Sequence, residues 1–186
     1  MTPRDIPNVI SLLRIALVIP VVYLLLERQF SYALVLFFIA GISDGLDGYL
    51  AKRNNWITRL GSILDPLADK LLLVFSYLAL GWLREIPMWL VIAVMVRDVI
   101  IVVGAIAYHE LVGKYDMTPT WMSKTNTFFQ ILLILVVVFS LGAYTLPVLF
   151  IETLIYIVAI TTLVSGINYV WVWGRRAANN NNITTN

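Results

Sequence analysis

Asp44 and Asp47 lie three residues apart and Asp65 and Asp69 four apart, and on a helix either spacing puts both carboxylates on one face. The turn between the two pairs, 52–59, is short enough to make the flanking helices antiparallel neighbours, so that all four carboxylates converge on one point. Like charges gathered in this way raise one another's pKa, and desolvation raises them further, so the four cannot all stay ionised without compensation. A hard divalent cation supplies it. No histidine or cysteine is near the four acids, so the ligands are oxygens, which suits Mg²⁺ or Mn²⁺. Two ions fit the pattern of phosphate-processing sites, whose metals lie about 3.5–4 Å apart. The competing reading is that the acids cap helix ends or pair with Lys52, Arg53, Arg59 and Lys70. Gly48 and Gly61, close to the acids in sequence, would let a ligand approach the helix backbone.

The elements that position these acids follow from the composition. A chain of 186 residues that is 60% hydrophobic and only 13% charged, with a mean hydropathy of +0.87, lies outside the range of soluble domains. Six apolar runs, at about 10–26, 32–50, 60–83, 87–108, 122–141 and 147–173, approach the ~20 residues an α-helix needs to cross ~30 Å of hydrocarbon. The runs are continuous, whereas barrel strands would alternate apolar and polar residues. The expected fold is therefore all-α, a polytopic bundle of six transmembrane helices forming one domain over 1–176. A polar tail, 177–186, carries an asparagine run and is expected to be disordered.

Basic residues divide unevenly between the connections. Arg4, then Lys52, Arg53 and Arg59, then Lys114, then Arg175 and Arg176 fall on one side, against Arg28 and Arg84 on the other. The positive-inside rule makes the richer side cytoplasmic, together with both termini and the acidic site. The first run is read as a retained span, since no cleavage site accompanies it. A formal charge of +2 gives no reason to expect nucleic acid as a partner. Absence of cysteine excludes disulfides and thiolate chemistry. Intramembrane acids also mark ion pathways, which keeps a divalent-cation transporter open as an answer of another class. No internal repeat supports it.

Further ionisable and polar residues sit inside the apolar runs, where their cost marks them as functional candidates. Arg14 is either a phosphate contact at a cavity mouth or a side chain snorkelling to the interface. Arg97 and Asp98 are either a mutually neutralised pair or a phosphate contact made by Arg97. Adjacent residues point about 100° apart on a helix, which disfavours a simple pair. Lys124 either sets topology or binds the phosphate of an acceptor.

The pattern Asp44-x-x-Asp47-Gly48-x-x-Ala51-Lys52, followed after eight residues by Gly61-x-x-x-Asp65-x-x-x-Asp69, resembles the signature of the CDP-alcohol phosphatidyltransferase family. It departs at Lys52, where family members usually have arginine; lysine keeps the charge but loses the bidentate fork. The resemblance implies a six-helix fold, usually homodimeric, acting on CDP-diacylglycerol. It also implies that Asp44, Asp47 and Asp65 bind two metals and that Asp69 completes the site and acts as general base. Gly48, Ala51, Lys52 and Gly61 would line the CDP pocket with Asp44, Asp47 and Asp65.

Ile6-Pro7-Asn8 with Ser11 and Arg14, Arg97-Asp98, Ser123-Lys124-Thr125-Asn126-Thr127 with Gln130, and Ser165-Gly166 look like the CMP-forming cardiolipin synthase branch. Phosphatidylglycerophosphate synthases typically have a second lysine where Asn126 stands. Glycerol 3-phosphate, a small dianion, favours several basic contacts, while phosphatidylglycerol carries one negative charge and two acyl chains. Phosphatidylglycerol is the expected acceptor, with glycerol 3-phosphate the alternative; Arg14, Arg97, Lys124 and Asn126 are the candidate acceptor or phosphate contacts. Water as acceptor, in a hydrolase, remains a third possibility. The expected setting is a bacterial inner membrane.

Overall fold

A computed structural model describes the backbone of residues 6–54, 61–112 and 121–181, and side chains over 9–45, 53, 64–104, 121–169 and 171. The turn expected at 52–59, the connection around 113–120 and the last residues of the tail lie partly or wholly outside the described residues, as do the basic residues Arg4, Arg59 and Lys114.

The described residues form six helices and no strand: α1 (Ile6–Leu26), α2 (Phe30–Asn54), α3 (Gly61–Trp82), α4 (Met88–Val112), α5 (Trp121–Gly142) and α6 (Val148–Asn181). Each follows one of the apolar runs. Three of them contain stretches long and apolar enough to cross a membrane, Val9–Leu26, Trp121–Gly142 and Val148–Tyr169, judged on the described residues alone. Their exteriors are apolar, with Ile19, Leu149 and Ile167 75%, 73% and 69% exposed. This is a multi-pass membrane protein whose lipid-facing surface is apolar. α6 runs past Arg176 to Asn181, into the segment expected to lack structure, because Arg175, Arg176, Ala177 and Ala178 are good helix formers that extend an existing helix at little cost.

Two turns share an unusual closure. Arg28 and Arg84 both adopt the left-handed backbone, with φ of 58° and 62°, a conformation that normally favours glycine. After α1, the Arg28 N–H donates to the Leu25 carbonyl and the Gln29 N–H to that of Leu24. After α3, the Arg84 N–H donates to Gly81 and the Glu85 N–H to Leu80. Both are Schellman closures that satisfy carbonyls at the helix end, and the cation at each suits the negative end of the helix dipole. Arg28 also pairs with Glu85 at 3.3 Å.

The chain divides into two compact units. The first, Met1–Ile86 with Ile134–Pro147, packs α1 against both α2 and α3. Val18, Val21 and Leu25 of α1 are buried there, as are Ala33, Phe37 and Ala40 of α2 and Ala68, Leu73, Tyr77 and Leu80 of α3. The small residues let helix backbones approach closely, which is how helices associate where lipid removes the hydrophobic drive. A close backbone approach occurs at Gly142, where an added Cβ would lie 2.7 Å from the Ser31 backbone nitrogen and 2.8 Å from the Phe30 carbonyl carbon. Ser31 Oγ donates to the Gly142 carbonyl at the same point. Backbone cannot yield as a flexible side chain does, so Gly142→Ala is expected to destabilise the protein by about 1–3 kcal/mol. Thermal unfolding of the detergent-solubilised variant checks this; an unchanged melting temperature would show that the contact can relax.

The second unit, Pro87–Leu133 with Val148–Asn186, packs α4 on α6. Leu90, Val91 and Val94 of α4, Leu133 of α5 and Leu154, Ile155 and Val158 of α6 are buried. Gly104 allows the Tyr169 ring to pass, since a Cβ added there would lie only 3.0 Å from Tyr169 Cε1, and the Tyr169 hydroxyl donates to the Ile101 carbonyl at 3.0 Å.

Candidate active site

In the first unit the acids meet two polar side chains of α1. Arg14, inside an otherwise apolar run, is only 1% exposed, and its Nη1 lies 2.6 Å from Asp44 Oδ1 on α2 and 2.9 Å from Asp69 Oδ1 on α3. Ser11, three residues earlier on the same face of α1, donates to Asp65 Oδ1. One helix therefore ties carboxylates from two others, and a single guanidinium nitrogen contacts both Asp44 and Asp69. The side chains of Asp44 and Asp69 are 47% and 53% exposed. The guanidinium is thus buried beneath the acids, while the acids stay open to a ligand from outside.

Asp47 lies on α2 three residues beyond Asp44, on the same helical face by register. Its side chain, like those of Ala51 and Lys52, is outside the described residues, as are the surroundings of Gly48 and Gly61. Among the described residues no group of three acids is arranged to hold an ion by itself. The donor chemistry nonetheless suits a hard cation: Asp44, Asp65 and Asp69 offer only oxygen, and Arg14 and Ser11 hold them in place. Of the two sequence readings of Arg14, snorkelling to the interface does not hold, because the side chain is buried and directed to the acids.

The second unit holds the other candidates. Arg97 and Asp98 are both buried and do form a pair, Nη1 to Oδ1 at 2.9 Å. Their angular separation on α4 argued against this, but the long arginine stem folds back far enough to close it. Arg97 Nη2 donates in addition to Ser123 Oγ of α5 and Ser165 Oγ of α6, each at 2.6 Å. Three helices meet on that guanidinium.

Asn126 is completely buried. Its Oδ1 accepts from Thr161 Oγ1 at 2.9 Å and Thr162 Oγ1 at 3.0 Å, so its side chain is directed into the packing with α6. Lys124 is exposed and, with Ser123, Thr127, Phe128 and Ile131, lines an open cavity of about 400 Å³. Of the four candidate acceptor contacts, Lys124 alone lines this cavity. Sequence reasoning cited Ser11, Ser123, Ser165, Thr161 and Thr162 only for the family resemblance they carry and gave none of them a partner, although polar residues inside apolar helices were the available signal.

The CDP-alcohol phosphatidyltransferase family pattern matches residues 4–169. A cardiolipin synthase (CMP-forming) of Rattus norvegicus is 37% identical over 150 residues, covering 71% of this chain and 49% of the relative. A cardiolipin synthase (CMP-forming) of Streptomyces coelicolor is 36% identical over 131 residues, covering 66% of this chain and 60% of the relative. A CDP-diacylglycerol–glycerol-3-phosphate 3-phosphatidyltransferase of Rickettsia bellii is 32% identical over 177 residues, covering 89% of this chain and 93% of the relative. The chain thus spans about half the length of the rat protein, and cardiolipin synthases and a glycerol-3-phosphate phosphatidyltransferase resemble it to a similar degree.

Proposed function

We propose, because this chain belongs to the CDP-alcohol phosphatidyltransferase family, that it transfers a phosphatidyl group from CDP-diacylglycerol to phosphatidylglycerol, making cardiolipin and releasing CMP. The observation that carries the chemistry is the gathering of Asp44, Asp65 and Asp69 around Arg14 and Ser11. Asp44, Asp47, Asp65 and Asp69 would hold Mg²⁺ or Mn²⁺, two ions in the full site. When bound, such ions neutralise the pyrophosphate and polarise the phosphorus under attack.

The residues of the chain do the rest. Gly48, Ala51, Lys52 and Gly61 flank the acids in sequence and would admit the CDP moiety. Asp69, half exposed and held through Oδ1 by Arg14, takes the proton from the acceptor hydroxyl as its oxygen attacks the phosphatidyl phosphorus. The bond from that phosphorus to the bridging oxygen breaks, and CMP leaves with the electron pair.

Support for a lipid acceptor comes from the cavity beside Lys124. It offers one cation and two hydroxyls, then turns apolar at Phe128 and Ile131. One phosphodiester charge followed by an acyl chain suits such a lining, whereas a small dianion would leave the apolar part unused. Asn126 favours phosphatidylglycerol only indirectly: a lysine there would place a second charge against Thr161 and Thr162. Glycerol 3-phosphate is the alternative acceptor, on the strength of relatives such as the Rickettsia bellii enzyme. In this reading the protein works as a homodimer, spans an inner membrane six times, and keeps its acid cluster and both termini on the cytoplasmic side.

The test is one assay. Purified protein with labelled CDP-diacylglycerol and Mn²⁺ or Mg²⁺ is offered phosphatidylglycerol, glycerol 3-phosphate or no acceptor. Cardiolipin with phosphatidylglycerol is the expected product, and Asp69→Asn is expected to slow it by about 10²-fold or more. Product from glycerol 3-phosphate alone would move the assignment to phosphatidylglycerophosphate synthesis. CMP without acceptor would indicate a hydrolase, and cation flux without turnover a transporter.

A further inference from the structure

We infer that Arg14 is a built-in cation that competes with divalent metal for Asp44 and Asp69 and thereby sets the metal affinity of the acid cluster; the inference rests on the metal-binding reading of those acids. Its Nη1 contacts Oδ1 of Asp44 at 2.6 Å and Oδ1 of Asp69 at 2.9 Å, and its side chain is 1% exposed. A guanidinium does not lose its proton in a protein, so this charge is permanent. The half-exposed carboxylates admit an ion from outside, while the arginine faces them from the buried side.

Two effects of opposite sign follow. By holding two carboxylates in place, Arg14 lowers the conformational cost of assembling a site. By standing at contact distance from both, it repels any second cation and occupies lone pairs that the ion would use. The second effect is the larger, because a full charge within ion-pair range of the ligands outweighs the restriction of two short side chains. Ser11 provides an internal comparison. It holds Asp65 by a neutral hydrogen bond and so contributes placement without repulsion. The three acids are thus held by two means, of which only Arg14 opposes an incoming ion with a charge of its own.

The experiment titrates Mn²⁺ into the full chain in detergent micelles and follows free Mn²⁺ by electron paramagnetic resonance. Arg14→Gln is expected to tighten Mn²⁺ binding about tenfold or more, by removal of the opposing charge. Arg14→Lys, which keeps that charge, should stay within about threefold of wild type. Asp44→Asn should weaken binding. Equal or weaker binding by Arg14→Gln, with wild type binding normally, overturns the inference and leaves the metal reading intact. No saturable Mn²⁺ binding by wild type, with no effect of Asp44→Asn, overturns the metal reading and the inference with it. Should Arg14→Gln fail to fold, Arg14→Met keeps the buried stem and reads the same quantity. The rise in melting temperature on adding Mn²⁺ gives a second measure, expected to be larger in either neutral variant than in wild type.

Discussion

Asp44→Ala and Asp65→Ala are each expected to abolish CMP release from CDP-diacylglycerol, by about 10³-fold or more, since on the proposed mechanism several kcal/mol of transition-state stabilisation would come from cations held by these acids and each ~1.4 kcal/mol is tenfold in rate. The two acids come from different helices and are held by different partners, Asp44 by Arg14 and Asp65 by Ser11. Equal losses at both would therefore indicate one shared function rather than one local packing defect. Chelation of wild-type protein should reproduce the loss, and added Mn²⁺ or Mg²⁺ should reverse it. Folding is checked by comparing melting temperatures. Both carboxylates lie partly at the surface of the cluster, so truncation opens no large cavity. Turnover that survived in Asp44→Ala and resisted chelator would remove the metal-dependent mechanism.

Arg97→Met is expected to cost about 3–5 kcal/mol of stability, the range for removing one partner of a buried ion pair and leaving the other charge behind. The guanidinium joins α4 to α5 and α6 through Asp98, Ser123 and Ser165, so its loss also disconnects three helices. Arg97→Met combined with Asp98→Leu should recover much of that stability, because replacing a whole buried pair by apolar residues is often neutral. Unfolding in increasing denaturant, measured for the two single variants and the double variant, isolates the coupling. A destabilisation of the double variant equal to the sum of the singles would mean that the pair contributes nothing as a pair. Ser123 also lines the cavity beside Lys124. Through that hydrogen bond Arg97 holds one of the hydroxyls at the polar end of the cavity.

Three of the four acids marked by the sequence have described partners on α1. Their spacing of three and four residues on helices, with a short turn between the pairs, led to the expectation that Asp44, Asp47, Asp65 and Asp69 converge on one point; the side chain of Asp47 lies outside the described residues. The structure brings Asp44 and Asp69 onto Arg14 and Asp65 onto Ser11. Arg14 was legible as costly and therefore purposeful, yet its partners were not. The same holds for Arg97, whose pairing with Asp98 the angular argument made unfavourable, and for Asn126, which was expected among the acceptor contacts and lies buried against α6.

What the residues determined by themselves was periodic or local: apolar length set the six helices, and position within a helix decided which acids share a face. Tertiary structure alone decided which face of one helix meets which face of another. That rotation depends on how small residues such as Ala33, Ala40, Ala68 and Gly142 let backbones approach, and on where a long flexible side chain can reach once they have. Arg14 thus finds carboxylates on two other helices, because helix packing brings together groups that lie 30 and 55 positions away along the chain.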